Sequence, residues 1–182
     1  MEFPAARVLR PGGTALVLLA GQAKNHRWWD GARDDFHVVR NALTLDSRGT
    51  GESEKPNKPY GNELFALDVV AVLDYLGVHR AEVDGTSTGG RLARQLAARH
   101  PHLVRALGPG CASPGGPHGI ERDSVVSRSL VQARPGAARQ ALLGLTYTPA
   151  WLATEAGRRH PRSAPGQQES PGGWPGALAW GG

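Results

Sequence analysis

The pentapeptide Gly85-Thr86-Ser87-Thr88-Gly89 has the residue types and spacing best suited to covalent chemistry. It lies between a short apolar segment, Ala81 to Asp84, and residues 92–97, whose apolar side chains recur at helical spacing. A serine on such a strand-to-helix turn presents its hydroxyl near the positive end of a helix dipole. Gly85 and Gly89 are expected because such a turn leaves no room for a Cβ atom at these two positions. Ser87 is therefore a candidate nucleophile. The alternative is an ordinary loop with a surface serine.

The elements around this turn alternate between strand and helix patterns. Strands are predicted at Ala6–Leu9, Thr14–Ala20, Ala42–Leu45, Ala81–Asp84 and Leu103–Ala112. Helices are predicted at Trp28–Phe36, Asn62–Leu76, after Ser87, at Glu121–Gln132 and at Pro135–Leu145. This alternation predicts an α/β fold, a parallel sheet with helices on both faces.

The helix before the pentapeptide has the clearest boundaries. Asn62 is a natural N-cap residue, and Gly77 is typical of a helix C-terminus. Between them, an apolar stripe at helical spacing predicts the buried face: Phe65, Val69, Val72, Leu73 and Leu76.

Composition restricts the class of protein. The chain has 182 residues, enough for one domain with a sizeable core, and a net charge of +5. Its basic residues are scattered, without a dense patch, so no nucleic-acid partner is expected. A single cysteine suits a reducing compartment and excludes a cysteine-based metal cluster. The longest apolar run, Ala15–Ala20, is too short to cross a membrane, and no signal-peptide pattern opens the chain. We expect a cytoplasmic location, with no membrane partner.

Four stretches together resemble the α/β-hydrolase family over about Ala15 to Leu152. Leu18–Gln22 is similar to the strand and loop that build the family's oxyanion hole. Asp46-x-Arg48-Gly49-x-Gly51-x-Ser53 is similar to the turn after the next strand. Gly85–Gly90 resembles the nucleophile elbow, and Ala97–Pro101 resembles the end of the helix behind it. The resemblance implies a serine hydrolase of small esters or lactones, with no cofactor and no metal.

The resemblance also implies roles for individual residues. Ser87 would form an acyl-enzyme with a small-molecule substrate. The developing oxyanion would be stabilised by the backbone N–H of Thr88 and that of Gln22. Gly85 and Gly89 would be the glycines of the elbow.

The acid and histidine that should follow the serine are difficult to identify. Glu121 and Asp123 are candidate acids after the fourth predicted strand, and His160, among arginines, is a candidate base. His118 is a remote alternative. None is convincing, so we expect catalysis to be impaired by loss of the C-terminal acid and histidine.

The composition changes near residue 154. From Ala156 to Gly182 there is no Val, Ile, Thr, Phe or Asp, and Gly and Pro dominate. We interpret residues 1–153 as a partial α/β-hydrolase domain that lacks the C-terminal strands, with 117–153 as the start of a helical lid. Residues 154–182 are predicted to be a disordered tail. Truncation or a shifted reading frame near Thr154 would give this pattern.

Other features have competing interpretations. The Arg48–Gly51 turn could cradle a phosphate, but a structural turn is favoured because the spacing of known phosphate loops is absent. Trp28-Trp29 could line a pocket, although aromatic side chains on a helix more often belong to the core. His26 could contact substrate or be a solvated loop residue. Cys111 is expected to be a small buried residue.

Two other classes of function remain open. The chain could be a non-catalytic domain that keeps the elbow for ligand binding, or a truncated product without function. In a partial domain the fourth strand would be an exposed edge, which predicts self-association.

Overall fold

A computed structural model of the chain describes residues 13–22, 24–57, 60–114, 119, 123–126 and 137–158. The predicted strand at Ala6–Leu9 lies outside these residues. Of the predicted helix Glu121–Gln132, only 123–126 are described, and 124–126 are helical.

Four strands form one parallel sheet. Their bounds are β1 Ala15–Leu19, β2 Asn41–Thr44, β3 Ala81–Thr86 and β4 Val104–Gly110. Their order in space is β2-β1-β3-β4, and every neighbouring pair is parallel. All residues of β1 are buried, as expected for a central strand covered on both faces. The predicted parallel α/β sheet is confirmed.

The helices follow the strands as the sequence pattern predicts. Their bounds are α1 Asp30–His37, α2 Asn62–Tyr75, α3 Thr88–Arg99, α4 Ala137–Thr146 and α5 Pro149–Leu152. Short 3-10 helices lie at His26–Trp29 and Pro101–Leu103. The helix predicted at Trp28–Phe36 is thus a 3-10 turn that continues into α1.

Apolar side chains cover both faces of the sheet. The larger core cluster joins the sheet to α2 and α3, with Val17, Val83, Phe65 and Leu96 all nearly inaccessible to solvent. On the opposite face, Leu16, Leu18 and Ala42 form a smaller cluster against Trp29 and Phe36. The core interpretation therefore holds for Trp29. Trp28 instead lies under the Lys24 ammonium group, which is 4.2 Å from the ring centroid.

Helix α2 buries part of its predicted stripe: Phe65, Val69 and Leu73. The prediction of Asn62 as N-cap is wrong, because Gly61 has the extended backbone of a cap and Asn62 is the first helical residue. The Asn62 Oδ1 atom is buried without a hydrogen-bond partner. Gly77 has a φ of +66°, which confirms the predicted helix end.

The prediction for Cys111 is also wrong. Its side chain is exposed, and its φ is +50°. The reason is that Cys111 lies in a turn one residue beyond β4, outside the apolar stretch that suggested burial.

Strand β4 is an edge strand within the described residues, because its only described neighbour there is β3. All seven of its residues are exposed or half-buried, and Leu107 has 39% of its surface exposed. The Gly110 carbonyl points towards β3, since it accepts the Ser87 amide at 2.8 Å. Because peptide groups alternate along a strand, the backbone of Pro109 faces the open side, where proline offers no N–H.

We expect the exposed β4 edge to cause self-association that Leu107→Lys weakens about tenfold. Burial of a leucine contributes about 1.5–3 kcal/mol, and a charge on an edge strand opposes further pairing. Sedimentation velocity over a concentration series measures the effect. Leu145→Lys is the matched control, because Leu145 is an exposed leucine on α4. Equal effects of the two substitutions would argue against an interface at β4.

The C-terminal described residues form α4, α5 and a helical turn at 155–158. This turn reaches into the segment predicted to be a disordered tail, and residues 159–182 of that segment lie outside the described part. Among the described residues, no helix combines the length and apolar character needed to span a membrane.

Candidate active site

The strand order creates a crevice between β1 and β3. The chain leaves β1 towards β2 on one side, whereas β3 leads to β4 on the other. In parallel α/β sheets, such a reversal opens a crevice at the carboxyl ends of the strands, where ligands bind. Leu19 of β1 is in register with Gly85 of β3, so both strands end at the same level. Residues just beyond these two strands therefore line the crevice.

Ser87 lies at the mouth of this crevice, between the last residue of β3 and the first of α3. Its backbone has φ +56° and ψ −116°, a conformation that non-glycine residues rarely adopt. The turn is held by neighbours on both sides. The Ser87 N–H donates to the Gly110 carbonyl at 2.8 Å, and the Ser87 carbonyl accepts from the amides of Gly90 and Arg91.

The strained backbone is informative about function. Such a conformation costs about 1–3 kcal/mol and persists only where the surrounding structure imposes it. It lifts the Ser87 side chain out of both the strand and the helix, towards the loop that follows β1. A Cβ atom placed on Gly21 of that loop would lie 3.3 Å from the Ser87 Cβ and 3.9 Å from its Oγ.

Gly85 and Gly89 are required by close packing. A Cβ atom on Gly85 would come within 3.0 Å of the Gly89 carbonyl, and one on Gly89 would do the same to the Leu19 carbonyl. These obstacles are backbone atoms, which cannot rotate away. The two glycines thus allow α3 to start directly against the ends of β3 and β1.

The two predicted oxyanion donors lie on either side of the crevice. Thr88 is the first residue of α3 and is buried. Its N–H belongs to the first turn, whose amides lack partners within the helix. Gln22 directly follows Gly21, which adjoins Ser87. The structure therefore brings Ser87, Thr88 and the Gly21-Gln22 segment together, while the donor roles stay predictions.

The glycine-containing turn after β2 is built around a carboxylate. Asp46 accepts the amide of Glu52 at 2.9 Å and that of His26 at 2.5 Å. Gly49 and Gly51 both have positive φ, and a Cβ on Gly51 would collide with the Asp46 side chain. Within the turn itself, the Gly49 amide donates to the Glu54 carbonyl and the Thr50 amide to the Ser47 carbonyl, which supports the structural interpretation over a phosphate cradle.

The same turn is tied to α2 by an ion pair. The Arg48 guanidinium donates from Nε to one Asp68 oxygen at 2.6 Å and from Nη2 to the other. The hydrogen bond with Asp68 raises the pKa of Arg48. Nearby, burial raises the pKa of Tyr60. Sequence reasoning did not find the Arg48–Asp68 pair, because the two residues lie 20 positions apart on different elements.

Asp84 is a half-buried carboxyl group on β3, three residues before Ser87. Burial raises its pKa, and a hydrogen bond from the Gly85 amide partly opposes this. Its neighbours in register are Leu18 and Gly108, which offer no charge.

Of the candidate acids and bases, only Asp123 lies among the described residues. Asp123 is exposed, and its carboxylate accepts the amide of Val125 at 2.6 Å. Glu121, His118 and His160 lie outside the described residues. Within the described part, no histidine is hydrogen-bonded to the Ser87 hydroxyl. The same residues contain no cluster of three or more His, Cys, Asp or Glu side chains that could bind a metal.

Comparisons with known proteins agree with this fold. A family model described as the alpha/beta hydrolase fold matches residues 14–114, more than half of the chain. The 2-hydroxymuconate semialdehyde hydrolase of Pseudomonas sp. (strain CF600) is 39% identical over 99 residues, covering 52% of this chain and 35% of that protein. The chain spans about half the length, or less, of the curated relatives it matches.

Two solved structures share the fold of this chain. A hydrolase from Pseudomonas aeruginosa PA01 matches with a TM-score of 0.78 and 24% identity, over 94% of this chain and 65% of its own. The enol-lactonase from Burkholderia xenovorans LB400 matches with a TM-score of 0.68 and 25% identity, over 84% of this chain and 56% of its own.

Proposed function

The chain belongs to the α/β-hydrolase family, and from this premise we propose that it is a serine hydrolase of small esters or lactones. The observation that carries the proposal is the conformation of Ser87, with φ +56° in a tight turn between β3 and α3. A serine held at this cost, beside the loop that follows β1, suits a nucleophile better than a surface loop.

The proposed reaction has two stages. The Ser87 Oγ attacks the carbonyl carbon of the substrate, and the carbonyl π electrons move to oxygen. The Thr88 amide and the Gln22 amide stabilise this oxyanion as hydrogen-bond donors. Collapse of the intermediate expels the alcohol oxygen, which takes up the proton lost by Ser87. Water then cleaves the acyl-enzyme and releases the carboxylic acid.

The substrate class rests on similarity. One similar solved structure is an enol-lactonase, and a similar curated protein is a semialdehyde hydrolase. A lactone is an internal ester, so the same attack by Ser87 opens its ring. We therefore propose small esters and lactones as the first substrates to test.

The proposal also includes impaired turnover. Serine hydrolases need a base for the proton of the nucleophile, and loss of that base costs about 10⁶ in turnover, with about 10³–10⁴ over water remaining. No described histidine is hydrogen-bonded to the Ser87 hydroxyl. Because the base acts in forming the acyl-enzyme as well as in cleaving it, we expect both steps to be slow, and a stable covalent adduct is the easier product to detect.

The test is covalent labelling with a fluorophosphonate probe. Ser87 should acquire a phosphonyl adduct, identified by mass spectrometry of the peptide that contains residues 81–91. Competition by a small lactone should slow the labelling. No adduct on Ser87 after prolonged exposure would contradict a serine hydrolase.

The alternative is a non-catalytic domain that binds ligands at the elbow. The observation in its favour is the absence of a described histidine at Ser87. It predicts that a small lactone protects the crevice from hydrogen exchange without forming an adduct or product.

A further inference from the structure

The loop that follows β1 is held at both ends. At its beginning, Gly21 adjoins Ser87, as described above. A turn follows, in which the Lys24 amide donates to the Gly21 carbonyl at 3.2 Å. At its end, the chain enters the 3-10 helix at His26. We call residues 20–22 and 24–25 of this segment the oxyanion loop, because it carries the Gln22 amide.

The far end of the oxyanion loop is anchored to β2 by a carboxylate. The His26 amide donates to Oδ1 of Asp46 at 2.5 Å. The His26 Nδ1 lies 3.1 Å from Oδ1 and 3.1 Å from Oδ2 of the same group. An ionised carboxylate only accepts hydrogen bonds, so the Nδ1 atom carries the hydrogen. One carboxylate therefore binds both the backbone and the ring of His26.

This anchor is itself rigid. Asp46 is two residues beyond the end of β2, and only 5% of its side chain is exposed. It also accepts the Glu52 amide at 2.9 Å. Hydrogen bonds to a buried charged group are stronger than those between neutral groups. A side chain with this many partners has little freedom to move.

We propose that His26 and Asp46 are positioning residues that fix the oxyanion loop, and through it the Gln22 amide, relative to Ser87. This inference rests on the proposed function, because Gln22 matters only if an oxyanion forms. A displacement of about 1 Å at a donor can cost about 10² in rate. Between this anchor and the contact at Gly21, the loop has only a few residues in which to relax.

His26→Ala is the central variant, and it should slow fluorophosphonate labelling of Ser87 about 10- to 100-fold. Amide hydrogen exchange in the oxyanion loop should become at least about tenfold faster, because the loop loses its ring anchor. Asp46→Asn should act in the same direction, since the amide retains only one acceptor oxygen.

His26→Asn is the rescue variant. An asparagine Nδ2 occupies nearly the position of the histidine Nδ1 and can donate to Asp46. Labelling should return to within about threefold of the parent rate. A purely space-filling role of the imidazole ring would not predict this recovery. His79→Ala is the matched control, because His79 is exposed and precedes β3 at the opposite end of the sheet.

The two readouts separate this inference from the proposed function. If the parent protein labels and His26→Ala labels equally fast while still folded by circular dichroism, the positioning role is overturned. If the parent protein does not label at all, the proposed function is overturned. Amide hydrogen exchange in the oxyanion loop then tests the anchoring role of His26 independently. Unchanged exchange in His26→Ala refutes that role, and faster exchange supports it.

Discussion

Ser87→Ala should lower the rate of fluorophosphonate labelling by at least about 10³-fold. The Ser87 hydroxyl is the group that forms the covalent bond, and alanine has no hydroxyl to replace it. The measurement is intact mass against time for the parent and the variant under identical conditions. Ser124→Ala is the matched control, because Ser124 is exposed in the helical turn at 124–126. Persistent labelling of Ser87→Ala would place the nucleophile elsewhere.

Ser87→Gly should distinguish the role of the hydroxyl in labelling from the cost of the strained backbone to stability. It also loses the hydroxyl, so labelling should fall as in the alanine variant. Glycine adopts φ +56° without the cost borne by serine, which is about 1–3 kcal/mol. The thermal midpoint should therefore rise by about 2–10 °C for a chain of this size. Alanine keeps the Cβ atom and should not give this increase.

Gly89→Ala should destabilise the fold by about 3 kcal/mol or more. The new Cβ would lie within 3.0 Å of the Leu19 and Ala20 carbonyls. Overpacking typically costs about 1–3 kcal/mol, and backbone obstacles leave no rotamer by which the clash can be relieved. The start of α3 would have to move away from β1. Urea unfolding followed by far-UV circular dichroism measures the change.

Gly31→Ala and Gly144→Ala are the controls for this experiment. Both glycines are helical, and a Cβ on either would meet no atom within 4 Å. Alanine is favoured over glycine inside a helix by about 0.5–1 kcal/mol, so both variants should be as stable as the parent or more so. A Gly89→Ala variant as stable as these would contradict the close approach of α3 to β1.

The strands and the elbow could be predicted because their signals are local. β1 is a continuous apolar run, and the elbow combines a strand, a glycine pair and a helix within about 20 residues. The predicted parallel order needed only the alternation of elements. Consistency between neighbouring local patterns made this part of the fold predictable.

The features that escaped prediction depend on contacts between distant residues. The His26–Asp46 and Arg48–Asp68 pairs each join residues 20 positions apart. No periodic sequence pattern connects the two members of either pair. The N-cap at Gly61 shows the limit of residue preference, because asparagine is the commoner cap residue and yet Asn62 is the first residue of the helix. The acid and the base could not be assigned from the sequence, because no short motif marks either residue.

The exposed Cys111 is a site at which a reporter group can be attached near the crevice. It is the single cysteine in 182 residues, and its thiol is open to solvent. It follows Gly110, whose carbonyl holds the Ser87 amide at 2.8 Å. One maleimide dye would therefore attach at a unique position, next to the residue that contacts the elbow, without any engineered substitution. The fluorescence of the attached dye would change when a small molecule enters the crevice. The labelled protein would therefore serve as an optical sensor in a ligand screen.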